Sequence, residues 1–94
     1  MGEVHLVAVG RIARAHGVRG AVKVFAYGET LRGLSPGSEI SVRHPSGGPA
    51  SKLTMAEVKP QGRYLLIRFE GIFGMESAQD LAGADLLVTE DQLP

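Results

Sequence analysis

Residues 63–89, RYLLIRFEGIFGMESAQDLAGADLLVT, change period twice, and those changes decide the fold. From Arg63 to Glu70 the chain alternates. Leu65, Ile67 and Phe69 share one face, and Tyr64, Leu66 and Arg68 share the other, as in a β-strand with two-residue periodicity. Over residues 75–82 the apolar positions Met75, Ala78, Leu81 and Ala82 take helical spacing. Glu76 stands in the first turn, where the helix dipole favours an acid. Gly83 reads as a helix stop. Residues 84–89 return to a strand with Leu86 and Val88 inward. One short helix therefore sits between two strands at the end of the chain.

The rest of the chain is a row of short strands separated by breakers. Residues 4–13 are β-branched and apolar, and Gly10 in their midst marks a bulge or a close backbone approach. Residues 21–27 alternate, with Val22, Val24 and Ala26 on one side and Lys23, Phe25 and Tyr27 on the other. Residues 28–38 hold three Gly and a Pro and read as a loop with one helical turn around Leu31. Residues 39–44 place Ile40 and Val42 inward. Pro45-Ser46-Gly47-Gly48-Pro49 reads as a hairpin tip and Pro60-Gln61-Gly62 as a turn, with a strand over 52–59 between them. Several strands are apolar on both faces, which suggests closure or coverage rather than an open, one-sided sheet. The expected fold is all-β: a small six-stranded antiparallel barrel with one short helix before the last strand. Its expected core is Leu6, Ile12, Val22, Val24, Ile40, Val42, Leu65, Ile67, Phe69, Leu81, Leu86 and Val88.

With 94 residues, 13 of them Gly, and no Cys, the chain fits one domain. The missing Cys excludes a disulfide scaffold, a thiolate zinc site and a cysteine nucleophile. No apolar run is long enough for a membrane span and no signal-peptide pattern opens the sequence, so no membrane role and a cytoplasmic location are expected. The zero net charge hides an asymmetry. Residues 1–47 carry six Lys/Arg against three acids, and residues 48–94 carry four against seven. No acid lies between Glu3 and Glu29, where Arg11, Arg14, Arg19, Lys23 and His16 sit.

Nothing in this pattern favours an enzyme. His5, His16 and His44 lack metal-ligand spacing. Most Ser and Thr lie in or beside turns, where local backbone hydrogen bonding is their ordinary use. His16-Gly17-Val18-Arg19-Gly20 lacks the order of a phosphate loop and no helix follows it. No catalytic residue, cofactor or metal is expected.

Residues 9–24, VGRIARAHGVRGAVKV, read as a strand, a tight turn and a return strand. Gly17 and Gly20 are expected to supply positive φ or room for close approach, and His16 to act as a polar brace across the turn or as a contact. This segment resembles the N-terminal signature of the RimM family of bacterial ribosome maturation factors, through Val9, Gly10, Ile12, His16, Gly17, Gly20 and Val24. Phe69-Glu70-Gly71-Ile72, Ala78, Leu81-Ala82-Gly83-Ala84 and Leu86 match a second family motif. Glu90 to Pro94 resembles the exit into the family's interdomain linker. Ala13-Arg14-Ala15 and Phe73-Gly74-Met75 depart from the usual pattern without removing a motif residue.

The resemblance implies a non-enzymatic factor that assists maturation of the small ribosomal subunit, especially its head, and processing of its RNA. It implies a first domain similar to a barrel of translation elongation factors, here residues 1–94, and a C-terminal PRC barrel absent from this chain. Binding to the nineteenth ribosomal protein of the S series is attributed in the family mainly to that second domain. A monomer is expected. A general ligand- or protein-binding barrel of a translation factor or reductase is the alternative, which a bound flavin or nucleotide would favour.

The candidate partner-binding residues are Arg11, Arg14, His16, Arg19 and Lys23, with Gly10, Gly17 and Gly20 as structural turn positions. Strict alternation puts Arg11 and Ala13 on one face and Arg14 on the other, with Arg19 on the loop. If the partner is ribosomal RNA, contacts to phosphates are expected, because these cations lack the interleaved aromatics of a base-stacking platform.

Overall fold

The computed structural model describes residues 5–93; the start of the expected first strand at Val4, and Pro94 in the linker-like exit, lie outside them. Six strands form: β1 (Leu6–His16), β2 (Ala21–Ala26), β3 (Glu39–Arg43), β4 (Ser51–Gln61), β5 (Tyr64–Phe69) and β6 (Asp85–Thr89). Two short helices, α1 (Thr30–Gly33) and α2 (Gly74–Gln79), lie between β2 and β3 and between β5 and β6. The strands close into an antiparallel barrel in the order β1-β2-β5-β4-β3-β6. Closure pairs most of the strand edges that an open sheet this small would expose.

The inward residues of each strand meet in one apolar core. Ile12, Val22, Val24, Met55, Ile67, Phe69, Leu86 and Val88 are wholly buried. No buried polar or charged side chain occurs among the described residues. Ten of the twelve expected core residues are buried. Leu6 and Leu81 are only half-buried, Leu81 packing against the core from its margin. Leu6 opens β1 at the rim opposite Thr89, and Leu81 lies in the turn after α2, so neither is enclosed on all sides.

Several boundaries differ from the sequence reading: α2 ends at Gln79 rather than Ala82, and two strands run past their expected ends. Pro60 does not end β4 but lies within it opposite Leu65, and the hairpin turns through Gly62 and Arg63 instead. Only Ser51–Thr54 of β4 pair with β3, so the far half of β4 has a free edge, where a proline breaks no ladder. Gly62, at φ +60, takes the first central position of this two-residue turn, the place a type II′ hairpin reserves for glycine. β1 likewise runs on through Ala13–His16, beyond the expected end at Ala13, because β2 pairs with it as far as His16↔Ala21.

Gly10 serves both of its expected purposes. The β1–β6 register shifts between Ala8 and Gly10. A Cβ at Gly10 would stand 2.6 Å from Leu31 Cδ1 and 2.9 Å from the Phe25 carbonyl oxygen. Leu31, the buried residue of α1, therefore plugs the barrel against bare backbone. Gly10→Ala is expected to displace that plug and lower stability by roughly 1–3 kcal/mol, the range for overpacking a tight core. Urea denaturation checks this, and an unchanged midpoint would mean that Leu31 does not depend on the glycine.

At the other end of the barrel α2 packs on β1 and β2, burying Ala78. The Gln79 side-chain oxygen accepts the Ala15 N–H at 3.2 Å. Past α2, Gly83 at φ +85 turns the chain back to β1: its N–H donates to the Ile12 carbonyl at 2.7 Å, and the Ile12 N–H donates to Ala84 at 2.9 Å. Gly83 therefore does not stop the helix, which ends at Gln79 with Asp80 as its cap; it closes the turn that follows and carries the chain into β6.

Candidate functional site

Because the interior is apolar, the polar chemistry of the barrel lies on its outer wall, and strand register arranges it. On β2 the outward residues are Ala21, Lys23 and Phe25. Their partners on β5 are Arg68, Leu66 and Tyr64. Beyond these, β4 places Glu57, Lys59 and Gln61 opposite Arg68, Leu66 and Tyr64. On the other side β1 contributes His16 opposite Ala21, Arg14 opposite Lys23 and Arg11 opposite Phe25. Three cross-strand rows result: Arg11–Phe25–Tyr64–Gln61, Arg14–Lys23–Leu66–Lys59 and His16–Ala21–Arg68–Glu57.

Arg14 reaches this wall through a bulge. The β1–β2 register slips between Ile12 and Arg14, so Ala13 is an extra residue and Arg14 regains the face of Arg11 while Ile12 stays buried. This corrects the expectation from strict alternation, which separates Arg14 from Arg11: one inserted residue reverses the parity of everything after it. Arg11, Arg14, His16 and Lys23 therefore share one surface. Arg19, in the β1–β2 turn, stands at the end of that surface, lining a shallow depression of about 400 Å³ with Ala21, Glu57, Lys59, Leu66 and Arg68.

Two acids touch this wall. Asp85 Oδ1 accepts from Arg11 Nε at 3.4 Å, and Glu57 Oε1 lies 3.7 Å from Arg68. Each pair has one exposed and one partly exposed partner, so solvent still screens them and they hold the arginines weakly. Arg14, Arg19, Lys23 and Lys59 have no ion-pair partner among the described residues. His16 is exposed and makes no side-chain hydrogen bond there, so it does not brace the turn. Gly17 and Gly20 take φ +71 and +97, the left-handed region that a turn through them needs.

The expectation that these cations lack neighbouring aromatics is also overturned. Phe25 meets Tyr27 and Tyr64 edge to face, with ring centroids 6.0 and 6.2 Å apart. Lys23 Nζ lies 4.6 Å from the Tyr64 ring centroid, a cation–π contact. Phe25 and Tyr27 remain about half exposed, at 48% and 50%. The alternation of Lys23, Phe25 and Tyr27 was visible in sequence. Tyr64, Lys59 and Arg68 come from strands some 40 residues away, and only register places them beside it.

His5 and His16 are exposed, and His44 Nδ1 is engaged with the Ser46 hydroxyl at 2.8 Å in the β3–β4 turn. Among the described residues no three His, Asp or Glu side chains converge as a metal-ligand set. Among the described residues no helix is long and apolar enough to cross a membrane.

A closed six-stranded antiparallel barrel, plugged by a one-turn helix, bridged by a second helix before its last strand and basic along one wall, defines the class: a small β-barrel module whose polar surface is external. The family model of the RimM N-terminal domain matches residues 7–93, and the chain belongs to that family. It is 40% identical over 89 residues to the ribosome maturation factor RimM of Syntrophobacter fumaroxidans, covering 95% of this chain and 50% of that protein. It is 38% identical over 90 residues to that of Trichlorobacter lovleyi, covering 96% and 51%. The chain thus spans about half the length of the curated relatives it matches. Two solved structures share its fold. One is the crystal structure of a Pseudomonas aeruginosa RimM described as a 16S ribosomal RNA processing protein, with TM-score 0.83 and 24% identity over 96% of this chain and 54% of that one. The other is the solution structure of the N-terminal domain of Thermus thermophilus RimM, with TM-score 0.71 and 19% identity over 96% and 95%.

Proposed function

We propose that the chain serves as the N-terminal domain of a ribosome maturation factor, binding precursors of the small ribosomal subunit and supporting their assembly and RNA processing in the cytoplasm without itself catalysing a reaction. Membership of the RimM family carries this reading, since relatives sharing up to 40% of its residues are ribosome maturation factors. The basic wall of β1, β2, β5 and β4 supplies the contact surface, with Arg11, Arg14, Arg19 and Lys23 facing the precursor and His16 at its margin. In this proposal the domain is monomeric, and a PRC barrel in the remaining half of a full-length protein holds the nineteenth protein of the S series.

The test is the double variant Arg14→Glu, Arg19→Glu in a longer chain carrying both domains. Both side chains are exposed, so the fold is expected to survive. Loss of two charge-assisted contacts is expected to weaken association with precursor particles about tenfold or more, and to flatten its salt dependence. Unchanged sedimentation with precursor particles at low and moderate salt would assign binding to the second domain alone.

A further inference from the structure

The wall holds something a purely electrostatic contact does not require. Phe25 and Tyr27 keep about half their surface in water, although a barrel this small has little apolar surface to spare. They and Tyr64 form one edge-to-face cluster, with Phe25 in contact with both tyrosine rings. The cluster is flanked by cations: Lys23 lies against Tyr64, Arg14 is opposite Lys23 on one side, and Lys59 lies beyond Leu66 on the other. Rings set among unpaired cations fit a ligand that offers flat π-faces and regularly spaced negative charge together. Single-stranded nucleic acid has that chemistry, because any base stacks on an aromatic side chain while Lys and Arg take the phosphates. A duplex presents the same charge but keeps its base faces stacked inside.

We propose that the Phe25, Tyr27 and Tyr64 cluster is a stacking platform for unpaired RNA, with Lys23, Arg14 and Lys59 as its phosphate contacts. This rests on the assembly role only for its choice of RNA over DNA. The stacking itself can be tested on this chain without any ribosomal particle.

The experiment measures fluorescence anisotropy of a labelled, unstructured 12-nucleotide RNA titrated with the 94-residue chain, alongside the same sequence as a duplex. The single strand is expected to bind at least several-fold more tightly. Phe25→Leu and Tyr64→Leu keep an apolar side chain on the wall but remove the π-face. Each is expected to weaken single-strand binding about tenfold, in line with the loss of one stacked base, and to leave the salt slope unchanged. Phe25→Tyr is expected to bind like the parent. Arg14→Gln and Lys59→Gln are each expected to lower the salt slope by about 0.7, one phosphate contact on a single strand. Circular dichroism confirms that each variant is folded. Equal affinity for duplex and single strand, no loss in the leucine variants, or no binding at low salt would each overturn the platform.

The two proposals fail separately. If the leucine variants lose RNA binding while the charge-reversed two-domain protein still binds precursors, the platform stands and the contact role of the wall falls. If the leucine variants placed in the two-domain protein release precursors without changing RNA affinity, the wall serves a protein partner and the platform falls.

Discussion

Ile67→Ala is expected to melt far below the parent. Ile67 is wholly buried at the middle of β5, opposite Val22 on β2 and Val58 on β4, so its side chain faces the core with a neighbouring strand on either side. Truncating a residue so enclosed leaves a cavity that a closed barrel cannot collapse without breaking ladder pairs, and roughly 2–5 kcal/mol of stability is lost. Against total stabilities of about 5–15 kcal/mol, that is a large share for a domain of this size. Thermal unfolding by circular dichroism should show a drop of roughly 10–30 °C. Leu66→Ala, one residue away, is the control. Leu66 faces the outer wall and is only half-buried, so its loss should cost much less. Equal effects at 66 and 67 would mean that β5 is not registered with its odd residues inward.

Gly20→Val is expected to be the most damaging substitution in the β1–β2 turn, and distinctly worse than Gly17→Val. Gly20 sits at φ +97, which strains a β-branched residue, and a Cβ there would run into the carbonyl of Ile72 and stand 3.2 Å from the Gly74 amide. The obstacle is backbone on the far side of the barrel end, just before α2, so it has nowhere to go. Conformational strain of about 1–3 kcal/mol and overpacking of about 1–3 kcal/mol combine to roughly 2–6 kcal/mol. Gly17, at φ +71 with nothing within 4 Å of a Cβ, carries the strain alone, about 1–3 kcal/mol. Denaturant midpoints of the two valine variants test the ordering. A Gly20→Val protein as stable as Gly17→Val would show that the turn and the α2 segment are not packed together.

The two variants separate two kinds of information. That both glycines occupy a turn between apolar strands was legible locally, because a histidine and two glycines between β-branched runs leave few other conformations. That Gly20 abuts Ile72 was not, since 52 residues of chain separate them and nothing in either segment names the other. The same division runs through the wall. The exposed side of β2, Lys23 and Phe25, follows from alternation alone. The convergence of Arg14 with Arg11 depends on the bulge at Ala13, and a β-bulge has no strong composition signal when the inserted residue is alanine.

Local chain chemistry was sufficient for the strand count, the helix before the last strand and most of the core, because two-residue and 3.6-residue periodicities record which side chains each element must hide. Pro60 shows the limit of that reading. A proline beside Gln-Gly is a turn signal on local grounds, yet it sits inside β4 because β3 ends and leaves that edge unpaired. Periodicity along the chain records which face most segments bury, Leu6 and Leu81 at the margins excepted. Which strands lie side by side, and hence that Lys23, Phe25, Tyr64 and Lys59 stand on one surface, follows from barrel closure. Periodicity is a property of neighbours along the chain, whereas pairing and register are settled by the one closure that buries all six apolar faces at once.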